Sequence, residues 1–164
     1  MKDSPFKLAV LSASNDYAAF SCGSPPLDRY IKEQATQDIR RRIASCFVAV
    51  DANNRVAGYY TLASASVPLA DSPSAVAKKL PRYPAVPAVR LGRLAVDQAF
   101  KGLGLGEALL GNATYRAANS EIASFALIVD AKDESAAAFY RHHDFIALPE
   151  TPSILFLPLA KFTL

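Results

Sequence analysis

The chain is poor in the residues that build metal centres and disulfide frameworks. It has two cysteines, Cys22 and Cys46, and two histidines, His142 and His143, and they fall at no metal-binding spacing, so no metal site is expected. No apolar run approaches the roughly 20 residues that a membrane helix needs. The N-terminus lacks the charged-then-apolar pattern of a secretory signal, so no membrane association and a cytoplasmic location are expected. No internal repeat and no composition break divides the 164 residues. That length suits one domain, 1–164, able to bury about 70% of its unfolded surface. One local absence bears on chemistry: the segment Ala88–Val96 contains no acidic residue.

Charge is present but uneven. Eighteen Lys and Arg against fifteen Asp and Glu give a formal net charge of +3. The cations cluster as Arg40-Arg41-Arg42, as Lys78, Lys79 and Arg82, and as Arg90 with Arg93. Such clusters are either solvated surface or a face that holds a polyanion such as RNA. Arg90 and Arg93 are an odd number of residues apart, so a regular strand points them to opposite faces. That leaves one of them to brace the sheet or a subunit interface.

Apolar periodicity predicts the elements. Phe6–Leu11 reads as a strand, and Pro25-Pro26 opens a helix from Leu27 to about Arg42 with a stripe of Leu27, Tyr30, Ile31, Ala35 and Ile39. Ser45–Asp51 and Val56–Val67 form an antiparallel hairpin across the Asp51–Asn54 turn. Five prolines punctuate residues 68–87, with a short helix at Ser74–Leu80 ended by Pro81. A strand over Ala88–Val96 precedes a glycine turn and a helix from about Gly104 to Asn119, whose buried stripe (Leu105, Leu109, Asn112, Ala113, Arg116) is short. Phe125–Asp130 is a strand covered on both faces. Asp133 caps a helix from Glu134 to about His143, and Phe145–Leu148 and Ile154–Leu159 close the chain. This order implies an α/β protein of mixed-sheet type with helices on both faces.

The most informative stretch is Leu91–Gly106, in which a strand runs into Lys101-Gly-Leu-Gly-Leu-Gly106 and then a helix. Glycines allow close backbone approach, and the first helical N–H groups point at whatever sits there, which suits a phosphate-bearing ligand. This turn, the strand Leu91-Gly-Arg-Leu-Ala-Val96, and the helix start Asp133-Glu-Ser-Ala136-Ala-Ala-Phe139-Tyr140 resemble the corresponding motifs of the GNAT family of N-acetyltransferases, and the resemblance spans nearly the whole chain. It implies the GNAT fold: a central mixed, largely antiparallel sheet flanked by helices. It also implies acetyl-CoA as cosubstrate. The pyrophosphate would lie on Lys101, Gly102, Leu103, Gly104, Leu105 and Gly106, and the pantetheine arm on the backbone of Leu94, Ala95 and Val96. Asp133 and Ala136 would complete the binding set, and Tyr140 would be the general acid. Three positions depart from the family pattern: Lys101 stands where Arg or Gln is usual, Asp133 where Asn is common and Asp144 where Gly is common. An ammonium can still pair with phosphate as a point charge, and Asp tolerates the left-handed conformation that ends a helix.

Phe20-x-Cys22-Gly23, Leu27-Asp28, Gly58–Leu62, Leu91–Asp97, Val129–Lys132 and Phe139-Tyr140 narrow the resemblance to the acetyltransferase toxins of bacterial type II toxin–antitoxin pairs. That subfamily implies acetylation of the α-amino group of aminoacyl-tRNA, a ribbon-helix-helix antitoxin and a homodimer. Arg90, Arg93, Lys78, Lys79 and Arg82 are then the tRNA-contact candidates. Acetyl transfer to a small amine, an antibiotic or a protein N-terminus, and a non-catalytic acyl-CoA-binding module, are the alternative functions. The missing acid in Ala88–Val96 favours an α-amine acceptor: its pKa of about 7.7–8.0 leaves it substantially neutral, whereas a lysine at about 10.4 needs a base. Asp97, just past the strand, or a water chain is the alternative base. A tyrosine with pKa about 10 is available as an acid, although a packed aromatic is the commoner fate. Cys22 reads as a reactive thiolate or a small buried hydrophobe, and His142 and His143 as partners of the helix dipole or satisfied surface residues rather than acid–base groups.

Overall fold

The computed structural model describes residues 5–68, 72, 74–79 and 83–163. The strands are β1 (Lys7–Val10), β2 (Ser45–Val50), β3 (Val56–Pro68), β4 (Ala85–Val96), β5 (Ala126–Asp130), β6 (Ile146–Ala147) and β7 (Ile154–Pro158). The helices are α1 (Pro25–Arg29), α2 (Ala35–Arg40), α3 (Ser74–Lys79), α4 (Leu105–Ala118) and α5 (Glu134–His142). Hydrogen bonding orders the strands β1-β2-β3-β4-β5-β7-β6 in one seven-stranded sheet. The β1–β2, β2–β3, β5–β7 and β6–β7 pairs are antiparallel and β4–β5 is parallel, which is the mixed sheet expected. Leu80 and Pro81, the expected end of α3, lie outside the described residues.

Contacts group the chain into two compact units: one takes the chain up to Ala63 with Gly92–Ala113, the other Ser64–Leu91 with the chain from Thr114 onward. In the first, β3 explains how helices come to cover both faces of its strands. Successive strand residues point to opposite sides. The Cβ that Gly58 lacks would meet Leu109 and Leu105 of α4, so α4 covers that side. Tyr59 points the other way, stacks on Tyr30 with ring centroids 6.2 Å apart, and donates its hydroxyl to the Leu27 carbonyl of α1 at 2.6 Å. Phe20 packs edge-on against Tyr59, and Ile31, Ala35, Cys46 and Val48 complete this core.

The helix expected as one piece from Leu27 to Arg42 is instead interrupted. It starts at Pro25, passes through a π-helical turn at Tyr30–Gln34, and ends at Arg40. Its apolar stripe is as read, with Tyr30, Ile31 and Ala35 buried and Leu27 and Ile39 packed against them. A side-chain bond spans the π turn within the same helical stretch: the Tyr30 hydroxyl donates to the buried Asp38 carboxylate at 2.9 Å. Single π turns of this kind lie frequently at functional sites.

In the second unit, Ala126–Val129 of β5 are all buried, as a continuous apolar run requires, and Val67, Val86, Ala88, Leu148 and Phe156 pack with Ala126 and Ile128. Asp133 caps α5, its Oδ1 accepting from the Ala136 N–H at 2.8 Å. Asp144 has φ 72°, the left-handed conformation expected where the helix ends. Helix α4 buries Leu105, Leu109, Leu110, Ala113 and Ala117, a longer stripe than expected. Leu110 and Ala117 join it, Asn112 is half-buried as acceptor of the Tyr60 hydroxyl, and Arg116 is half-buried.

A Cβ at position 58 would stand 2.9 Å from the Ala95 carbonyl oxygen and 2.9 Å from a Leu109 methyl. Backbone cannot yield cheaply, so Gly58→Val should cost about 1–3 kcal/mol by overpacking, measured as a lower urea midpoint. An unchanged midpoint would place α4 farther from β3.

Candidate active site

The parallel ladder between β4 and β5 pairs Ala88 with Ala126 and runs to Leu91 with Val129, where, among the described residues, it stops. β4 continues to Val96, so Leu94, Ala95 and Val96 carry backbone groups that this ladder does not use. Leu94 and Val96 are half-buried and Ala95 is buried. An extended ligand arm with amide groups can pair with such backbone as an added strand does.

Asp97 follows, and it is 2% exposed. Its Oδ1 accepts from the Ala99 N–H at 2.8 Å, its Oδ2 from the Ser21 N–H at 3.0 Å, and Arg55 lies 3.5 Å from Oδ1. Gln98 in turn donates its N–H to the Ser21 carbonyl at 2.8 Å. The carboxylate considered above as an alternative base is thus occupied in tying the end of β4 to the loop before α1. Arg55 and Ser21 escaped sequence reading because both partners are remote in the chain.

The turn itself is open where a ligand would need it open. Gly102 and Gly104 have φ of 82° and 77°, and a Cβ on either would meet nothing within 4 Å. Their conformation requires glycine while the space above them is free. Leu103 is exposed and Leu105 buried, so the turn is anchored by the second leucine. The first helical bond of α4 joins the Ala108 N–H to the Gly104 carbonyl, which leaves the preceding N–H groups without intrahelical partners. These features fit a pyrophosphate. Lys101 is exposed but its Nζ donates to the Cys22 carbonyl at 3.0 Å, so it braces the same loop that Asp97 holds. Cys22 is buried, and its N–H is held by Asp28 at 2.8 Å, in keeping with the small-hydrophobe reading.

Tyr140 sits on α5, packed on Phe139 and Phe145 at ring separations of 5.4 and 5.3 Å. Burial pushes its phenol up to about 12, because the charged form loses its hydration. The phenol therefore keeps its proton through the whole physiological range. Among the described residues its hydroxyl has no hydrogen-bond partner, so it is not committed elsewhere. Ala136 is half-buried and Asp133 exposed at the helix start. Arg141 and Glu134 form an exposed ion pair along the helix. His143 packs edge-on against Phe139 with Nε2 buried and unpartnered.

The cationic candidates separate. Arg93 lies 3.6 Å over the face of the Tyr30 ring, a cation–π contact that matches the bracing role left open by its strand parity. Arg90 is exposed on β4 opposite Ile128. Lys78 is exposed; the Lys79 side chain and Arg82 lie outside the described residues.

The profile of the acetyltransferase (GNAT) family matches residues 10–145. The chain belongs to that family. Over 149 residues it is 40% identical to the "tRNA-acetylating toxin" of Mycobacterium tuberculosis (strain ATCC 25618 / H37Rv), covering 90% of this chain and 88% of that protein. It superposes on AtaT complexed with acetyl-methionyl-tRNAfMet with a TM-score of 0.86 and 29% identity, covering 95% of this chain and 96% of AtaT. A tyrosine-to-phenylalanine mutant of AtaT, bound to the C-terminus of the antitoxin AtaR and to acetyl-CoA, gives a TM-score of 0.81 at 26% identity over 97% and 96% of the two chains.

If Asp97 is a structural anchor, Asp97→Ala strands two backbone donors and lowers unfolding stability by about 1–3 kcal/mol, read from urea titration. Full stability combined with complete loss of acetyl transfer would instead make it a base.

Proposed function

We propose that this chain is a toxin of the acetyltransferase class that moves acetyl from acetyl-CoA to the α-amino group of aminoacyl-tRNA and so blocks translation. The observation that carries the chemistry is the buried Tyr140 phenol, its pKa pushed up to about 12 and its hydroxyl free of competing partners among the described residues. The choice of acceptor draws on the 40% identical tRNA-acetylating relative and on the AtaT complex with acetylated tRNA.

Acetyl-CoA supplies an activated thioester. Leu94, Ala95 and Val96 offer backbone to its pantetheine arm, and Gly102, Leu103, Gly104, Leu105 and Gly106, with Lys101 beside them, offer N–H groups and charge to its pyrophosphate. Asp133 and Ala136 are assigned to the same ligand from the family resemblance. Tyr140 gives its Oη proton to the departing thiolate. No carboxylate of β4 is available as a base, which suits an α-amine that is already partly neutral near pH 8. Lys78 and Arg90 are the described cations assigned to the RNA, and Lys79 and Arg82 are further candidates; Arg93 is assigned to bracing Tyr30.

The chain is further assigned as a single catalytic domain, a homodimer, and the partner of a small ribbon-helix-helix antitoxin encoded alongside. Among the described residues no helix is long and apolar enough to cross a membrane; an acceptor of charged tRNA supports the cytoplasm as the assigned location.

Labelled acetyl-CoA incubated with charged and uncharged tRNA tests the acceptor. Label should pass to charged tRNA alone; label on small amines but not on charged tRNA would overturn the reading. Tyr140→Phe should lower kcat by about 10²–10⁴-fold with little change in the KM for acetyl-CoA. Wild-type turnover by that variant would remove the tyrosine from the chemistry.

A further inference from the structure

Along β4, Val86 and Ala88 point into an apolar cluster with Ala126 and Ile128 of β5, and the same alternation brings Arg90 next, opposite Ile128. A cation therefore stands where the row would place another core residue. At that point a pocket of about 180 Å³ opens in the second unit, with Ile128 and Leu148 as its apolar floor and Arg90, Ser66, Glu150 and Thr151 among its walls. Arg90 and Glu150 have no ion-pair or hydrogen-bond partner among the described residues. The pocket thus offers a donor-only guanidinium, an acceptor-only carboxylate and two hydroxyls that serve either way.

A free phosphate fits this lining poorly, because the Glu150 carboxylate repels it and the floor is apolar. A planar heterocycle with donors and acceptors on one edge fits it well. The volume is below the roughly 300 Å³ at which drug-sized ligand pockets begin, so one ring system rather than a whole nucleotide is the matching size. Unpaired RNA bases are recognised in this manner, splayed out and hydrogen-bonded along an edge. We propose that the pocket takes one unpaired nucleobase of the RNA acceptor, Arg90 donating to a ring acceptor and Glu150 accepting from a base N–H. This rests on the aminoacyl-tRNA reading above and sharpens it: Arg90 reads a base rather than a phosphate.

The test begins with binding. Adenosine and cytidine titrated into the protein should shift the NMR resonances of residues lining the pocket, and Arg90→Met should abolish the shifts. Ribose 5-phosphate, which has a phosphate and no base, should leave them unchanged. Equal shifts from ribose 5-phosphate, or none from the nucleosides, would overturn the proposal. In turnover, Glu150→Ala should lower kcat/KM for charged tRNA by about tenfold, within the range that a well-formed base contact gives. It should leave kcat/KM unchanged for the methyl ester of the same amino acid, which presents an α-amine and no base. Parallel loss on both acceptors would assign Glu150 to the fold instead. Should wild-type protein acetylate no charged tRNA, the acceptor reading falls alone, and the nucleoside titration still decides the pocket.

Discussion

Where β4 gives way to the glycine turn, a carboxylate almost wholly removed from water holds the chain in place. Asp97 accepts from the N–H groups of Ala99 and Ser21 and faces Arg55, and Arg55 itself lies over the Phe100 ring at 5.2 Å. A buried carboxylate is costly unless its oxygens are satisfied, so the arrangement is all or nothing. With it formed, the strand end, the loop before α1 and the entry to the glycine turn have one geometry. Lys101 reinforces the same joint through the Cys22 carbonyl. A single flexible ammonium suffices there, since it reaches one carbonyl.

Charge placement follows a similar logic elsewhere. Arg93 spends its guanidinium on Tyr30, which is itself hydrogen-bonded to Asp38 and stacked on Tyr59. Burial raises the phenols of Tyr30 and Tyr59, with Arg93 opposing the shift, so both rings remain neutral and act as packing and hydrogen-bond donors. A cation engaged with the core, Arg93, and an exposed one, Arg90, thus stand on one strand three residues apart.

Much of this was legible because it is local. The glycine turn, the Asp133 cap and the left-handed Asp144 depend on neighbours within a few residues, and each follows from backbone sterics or an orphan N–H. The π turn was not legible, since the apolar stripe from Leu27 to Ile39 keeps helical spacing across it. Nor was the task of Asp97, whose partner Ser21 is 76 residues away. Arg90 reads as surface charge in the sequence; its place at the end of an apolar row emerges only from the β4–β5 register. Tyr140 was picked out by its motif, while its burial and lack of partners are tertiary facts.

The chemistry reduces to a claim about protons. In the proposed reading the acid is the Tyr140 phenol, neutral because it keeps its proton, and the acceptor arrives with an amine basic enough to attack and weak enough to be neutral. The pH dependence of kcat/KM with charged tRNA tests this directly. The amine must lose its proton, so the rate rises with pH through about 7.7–8.0 and then stays level, since the Tyr140 phenol is lost only towards about pH 12. A rising limb in the carboxylate range near pH 4–5, or a fall in rate between pH 8 and 10, would contradict the account.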